Sequence, residues 1–148
     1  VGDSNNVLNS LIAASVKFSF NLNIGCPKNY EPKKFVLDWV KKNKRKINIF
    51  NNAKKAVENS DVVFSDKVVS LNDKINKINK IKNFNNYKID SKLMSFAKKD
   101  AIFLHCLPRG SEVSDKVFLG EQSKVWQQAL NRVYVQKSIL LYCFDKLR

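Results

Sequence analysis

Histidine is almost missing from this chain: His105 is the only one in 148 residues. A zinc site, which draws on several His or Cys ligands, is therefore not expected, and no other metal is suggested. Cysteine is scarce and odd in number. Cys26, Cys106 and Cys143 lie far apart with no CxxC, which excludes a disulfide framework and suggests a reducing, cytoplasmic setting. Glycine is limited to Gly2, Gly25, Gly110 and Gly120. That leaves no G-x-G-x-x-G, no G-x-x-x-x-G-K-[ST] and no G-x-S-x-G, so no dinucleotide or P-loop cofactor and no hydrolase elbow is expected. No apolar run approaches the roughly 18 to 20 residues of a membrane span, so no membrane partner is expected.

Acidic side chains are few as well, 13 against 27 basic, giving a net charge of +14. Clustered cations of that number would gain affinity for nucleic acid by displacing counterions from phosphate. Only Arg45, Arg109, Arg132 and Arg148 are arginines; the other basic residues are lysines scattered among 18 asparagines. That bias suits a solvated surface better than a specific nucleic-acid patch.

What is present is a regular alternation. Helical spacing runs through Val7–Val16, behind capping side chains. Leu22–Cys26 reads as a strand stopped by Pro27, and Pro32 opens a helix through Phe35, Val36, Trp39 and Val40. Lys46–Phe50 predicts a strand, Ala53–Glu58 a short helix and Asp61–Ser65 another strand. The biased stretch Leu71–Ile89 sets Ile75, Ile78 and Ile81 at helical spacing, expected as a basic amphipathic helix or an ordered loop with a core-facing stripe under a solvated lysine face. A short helix is expected over Ile89–Phe96. Ala101–Leu104 then forms a strand leading into His105-Cys106-Leu107-Pro108-Arg109, and a long helix fills residues 123–148. The class is α/β: a Rossmann-like parallel sheet flanked by helices. Before the Gly2-Asp3 loop stands only Val1, with no initiator methionine and no basic leader, so the first central strand is expected to be truncated.

Three polar clusters fall at predicted strand ends: Asp3–Asn6, Asp66–Ser70 and His105–Arg109. Ligands of open parallel sheets bind beyond those ends, and amides, a carboxylate, a hydroxyl, a thiol and guanidinium groups together suit a small zwitterion. Taken singly, each has a plainer reading. Ser4 or Asn5 caps a helix, Asp66 and Ser70 fix a turn, and Cys106 is a small buried hydrophobe. Alternation along the strand also sends His105 and Cys106 to opposite faces, which argues against a Cys-His catalytic pair.

At these clusters the chain resembles the ornithine carbamoyltransferases, in their second, ornithine-binding domain. The matching stretches are Val1-Gly2-Asp3-Ser4-Asn5-Asn6-Val7-Leu8-Asn9-Ser10-Leu11, Asp61–Asp66 with Ser70, His105–Arg109 with Glu112-Val113, and Gln128-Ala129-Leu130-Asn131-Arg132. The resemblance implies transfer of the carbamoyl group of carbamoyl phosphate to the δ-amine of ornithine, giving citrulline in arginine biosynthesis without metal or cofactor. By matching positions it implies that Asn6 holds the α-carboxylate, that Asp66 and Ser70 hold the α-amino group, and that Cys106, Leu107 and Asp66 lie near the reacting side chain. Leu71 belongs to the loop over ornithine, and Arg132 with His105 would meet carbamoyl phosphate. Cys106, Asp66 and Arg132 are the implied catalytic residues.

The family pattern is departed from in two places. Its Ser-Met-Gly loop reads Ser70-Leu71-Asn72, and Leu130 stands where a Glu precedes Asn-Arg. The family's first domain, with its Ser-Thr-Arg-Thr phosphate loop and most of the trimer contacts, is not in this chain. The resemblance thus implies a homotrimer for the full-length protein, with the 123–148 helix packed on that other domain. Little turnover is expected of this chain alone, because proximity catalysis needs both substrates in one cleft. The competing expectations are a related amine acceptor such as putrescine, or a non-enzymatic basic module binding nucleic acid.

Overall fold

The computed structural model describes residues 1–69 and 77–146. Four short strands are present among them: β1 (Asn23–Gly25), β2 (Asn48–Phe50), β3 (Val62–Ser65) and β4 (Ile102–His105). The helices are α1 (Asn6–Phe18), α2 (Lys34–Lys42), α3 (Ala53–Val57), α4 (Lys77–Asn83), α5 (Ser91–Met94), α6 (Asp115–Phe118) and α7 (Val125–Lys146), with a 3-10 turn at Asn85–Tyr87. The strands pair in parallel as β1 with β2 and β3 with β4. This is the expected mixed α/β architecture with short parallel sheets and a long C-terminal helix.

Val1 and Gly2 lie between the two pairs. The Val1 amine donates to the Phe64 carbonyl at 2.7 Å, and the Gly2 N–H donates to the Gly25 carbonyl at 3.0 Å. On the far side of β4, Phe103 donates to Gln122 and accepts from Lys124, so that Ser123 bridges it in parallel. The lateral order is therefore β2, β1, Val1–Gly2, β3, β4 and Ser123. The chain runs outward through α1 and α2 and then crosses back through α3 to β3, so the order reverses between Val1–Gly2 and β3. Gly2 has φ 140°, a conformation glycine adopts readily and other residues rarely.

Two apolar clusters cover the strands. Ile12 and Val16 of α1 meet Ile24, Cys26, and Val36 and Val40 of α2 in one of them. The other gathers Ala53, Val57, Val63, Phe84, Tyr87, Leu93, Phe103, Val117 and Phe118. Buried apolar area at both is the main stabilising term for elements this short.

The Leu71–Ile89 stretch corrects one expectation. Ile78 and Ile81 are 65% and 42% exposed, whereas Lys80 is buried at 3%. Periodicity assigned the isoleucines to the core, but the inward position is held by an ion pair from Lys80 Nζ to Asp3 Oδ2 at 2.6 Å. Ile75 lies outside the described residues. The helix expected over Ile89–Phe96 is confined to α5, because Ile89 instead exchanges backbone hydrogen bonds with Glu112 and Ser114.

Candidate functional site

The turn that follows Val1–Gly2 is fixed by Asn5. Its side-chain Oδ1 accepts from the Val7 and Leu8 N–H groups at 3.0 and 3.1 Å, which caps α1. The other half of the same amide, Nδ2, donates to Asp66 Oδ2 at 2.6 Å. Asp66 stands directly after β3, and its Oδ1 accepts from the Lys67 N–H at 2.8 Å. This Asn5–Asp66 bond spans the place where the strand order reverses. Asn5 is thus a cap and a site residue together, a link that spacing alone does not reveal because its partner is 61 positions away.

The end of β4 completes the group. Cys106 is half-buried beside Asp66. Burial, the neighbouring Asp66 charge and the hydrogen bond between them push the thiol up to about 11. At neutral pH Cys106 is a neutral hydrogen-bonding thiol, which removes the thiolate a covalent mechanism needs. Cys26, wholly buried, is pushed up to about 11 as well, by burial first and then by Glu31. Alkylation with iodoacetamide near neutral pH is therefore expected to modify exposed Cys143 first, with Cys106 and Cys26 slower by about tenfold or more. Peptide mapping by mass spectrometry reads the order, and prior labelling of Cys106 would contradict it.

His105 is enclosed rather than open to the crevice. Its ring is buried between Phe103 and Phe118, and Nδ1 faces the Cys106 carbonyl. Nε2 lies 3.0 Å from Glu112 Oε1, close enough for an ion pair but off the line of a good hydrogen bond. Glu112 also accepts from the Gly110 N–H at 2.5 Å. Burial alone would raise the Glu112 carboxyl, but these contacts hold it below its ordinary range. The His105 N–H donates to Gln128 Oε1 at 3.0 Å, tying the strand end to α7. Arg109 faces away from the crevice, 2.5 Å from Asp115 and stacked over the Phe118 ring.

Among the other expected residues, Asn6 is exposed in the first turn of α1 and Leu107 is 44% exposed at a cis peptide to Pro108. Arg132 is exposed on α7, one turn past Gln128 and on the same helix face. Ser70, Leu71 and Asn72 lie outside the described residues. A cleft of about 710 Å³ opens beside Asn5 and Asp66 and runs back beneath Leu8 and Leu11 of α1 to Asn21, Asn23, Ser60 and Asp61 at the opposite strand ends; Cys106 and Leu107 are not part of its lining. Among the described residues, no group of three His, Cys, Asp or Glu side chains is placed to hold a metal, and no helix is long and apolar enough to cross a membrane.

The family model for the Asp/Orn binding domain of aspartate/ornithine carbamoyltransferase matches residues 1–143. The chain belongs to this carbamoyltransferase family. An ornithine carbamoyltransferase of Methanocorpusculum labreanum is 41% identical over 143 residues, covering 95% of this chain and 47% of that enzyme. One from Rhodopseudomonas palustris is 44% identical over 146 residues, covering 96% and 46%. Among solved structures, the anabolic ornithine carbamoyltransferase of Campylobacter jejuni superimposes with a TM-score of 0.89 at 37% identity, over 99% of this chain and 50% of that one. The chain spans about half the length of the curated carbamoyltransferases it matches.

Proposed function

We propose that this chain is the amino-acid-binding half of an ornithine carbamoyltransferase. The observation that carries the reading is the convergence of Asn5, Asp66 and Cys106 at the strand reversal. In this reading the α-carboxylate of ornithine lies at Asn6, where the positive end of α1 favours an anion. The α-ammonium is held by Asp66 and Ser70. Asp66 retains acceptor capacity beyond its bonds from Asn5 and Lys67, since an ionised carboxylate has about four lone-pair sites. Leu71 covers the ligand.

The δ-amine attacks only when neutral. Beside an uncharged thiol and the Leu107 carbonyl, desolvation disfavours its ammonium form. Its nitrogen then forms a bond to the carbamoyl carbon, the bond from that carbon to the phosphate oxygen breaks, and the amine proton is lost, giving citrulline and phosphate. Arg132 is assigned to the departing phosphate, which its planar fork matches. His105, expected at the donor, is assigned instead to holding the Cys106–Leu107 turn through Glu112, because its ring is enclosed.

The rest of the active centre is assigned to a carbamoyl-phosphate-binding half. The apolar side chains of α7, including Val133, Ile139, Leu140 and Phe144 at 56 to 64% exposure, supply the surface for packing on it. A cytoplasmic homotrimer in arginine biosynthesis is the assembly this reading implies. Putrescine as acceptor would leave Asn6 and the α1 terminus without a carboxylate to bind.

The test is to join a carbamoyl-phosphate-binding half from a matched relative ahead of Val1 and assay citrulline. The joined protein is expected to carbamoylate ornithine and not aspartate or putrescine, and the 148-residue chain alone is expected to be inactive. Carbamoylation of another acceptor, or turnover by the chain alone, would overturn the reading.

A further inference from the structure

Lys80 is a lysine in a buried position. Its side chain is 4% exposed, and the 18% exposed Asp3 that receives it sits between Gly2 and the Asn5 cap. Burying an ion pair is seldom a gain in stability over a well-packed apolar side chain, since desolvation costs several kcal/mol per ion. A methionine at position 80 would fill the space without that cost. What the pair supplies is direction.

The surrounding contacts show what is being directed. Ser4 Oγ donates to the Tyr30 carbonyl at 2.5 Å. Tyr30 in turn packs edge-on to buried Phe84, with ring centres 4.8 Å apart, and its hydroxyl accepts from Asn83 Nδ2 at 3.2 Å. α4 therefore grips the turn at Asp3 through a charge and at Ser4 through Tyr30. The next residue is Asn5, whose amide must face Asp66 and the first N–H groups of α1 simultaneously. A small rotation of the turn would break one of those bonds.

We propose that Lys80 is a positioning residue: by fixing Asp3 it sets the turn that aims the Asn5 amide at Asp66, and so shapes the ornithine crevice from outside it. The consequence for ornithine rests on the function proposed above; the effect on Asn5 does not. The experiment compares wild type with Lys80→Met, Lys80→Arg and the double variant Lys80→Met/Asp3→Asn. Three quantities are measured on the 148-residue chain: the melting temperature, the Asn5 side-chain amide signals by NMR, and the ornithine dissociation constant by calorimetry.

Lys80→Met is expected to shift the Asn5 signals toward those of a solvent-exposed amide and to weaken ornithine about tenfold, the scale of one charge-assisted contact. Lys80→Arg is expected to restore both. The double variant, which removes the unpaired Asp3 charge, is expected to regain melting temperature but neither the Asn5 signals nor the affinity. Recovery of all three in the double variant, or unchanged Asn5 signals in Lys80→Met, would reduce the pair to a structural contact and overturn the proposal. If wild type fails to bind ornithine while Lys80→Met still displaces Asn5, the positioning role stands and the ornithine reading falls.

Discussion

Asp66→Asn is expected to bind ornithine roughly 10- to 100-fold more weakly than wild type. Removing an ionised acceptor from an ammonium forfeits about 1.5 to 3 kcal/mol, and every 1.4 kcal/mol is about tenfold in affinity. The substitution is nearly isosteric, but it also turns one end of the side chain into a donor. That donor meets either Asn5 Nδ2 or the Lys67 N–H, both of which donate to Asp66 in the wild type. Asn5 must then reorient, so the effect on binding exceeds that of the charge alone. A second consequence needs no ligand. The Asp66 charge is the second cause of the raised Cys106 thiol, after burial. Without it the thiol titrates closer to its ordinary value of 9.0, more thiolate is present, and Cys106 alkylates faster in Asp66→Asn than in wild type. Equal alkylation rates would show that the two groups are not coupled.

Glu112→Ala is expected to have the largest effect on folding, about 1 to 3 kcal/mol, because it leaves the Gly110 N–H without its acceptor and removes the buried side chain beside His105. Chemical denaturation at neutral pH measures that loss directly. The pH dependence carries a separate signature. The folded Glu112 carboxyl is held below its ordinary value of 4.5, so its contribution is complete above that value and disappears as pH falls through the lowered one. Wild type and Glu112→Gln are therefore expected to differ at neutral pH and to converge in acid. A difference that stays constant down to the acid transition would contradict the assignment.

The parts of the fold that were legible are those with a period. Alternating apolar runs marked β1 to β4, and cap and proline signals marked α1 and α2, because these patterns are local. The sheet edge that carries Asp66 and Cys106 follows from alternation of strands and helices alone. Elements as short as α6 and the turn at Asn85–Tyr87 have too few residues for any period to show. The isoleucine stripe misled for a different reason. Hydrophobic spacing assumes that apolar residues turn inward, whereas the partly buried carboxylate of Asp3 drew Lys80 in and left Ile78 and Ile81 outside. His105 stood out as the only imidazole, yet its partner Glu112 was recognisable only as part of a motif. The pairing depends on a turn that folds Glu112 back under the strand end, and residue spacing does not encode that turn. Asn5 is a cap, as its position before α1 indicates; its bond to Asp66 joins distant strand ends and appears only once the sheet is assembled.

The central claim is that the crevice beyond the ends of Val1–Gly2 and β3, at Asn5, Asp66 and Cys106, receives ornithine. Titrating the 148-residue chain with ornithine, and in parallel with putrescine, while following the Asn5 and Asn6 side-chain amides and the Cys106 amide by NMR tests it most directly. Saturable shifts at all three positions with ornithine, weaker by about tenfold or more with putrescine because the carboxylate contact is lost, are the predicted result. No shift at these residues, or equal response to the two amines, would contradict it.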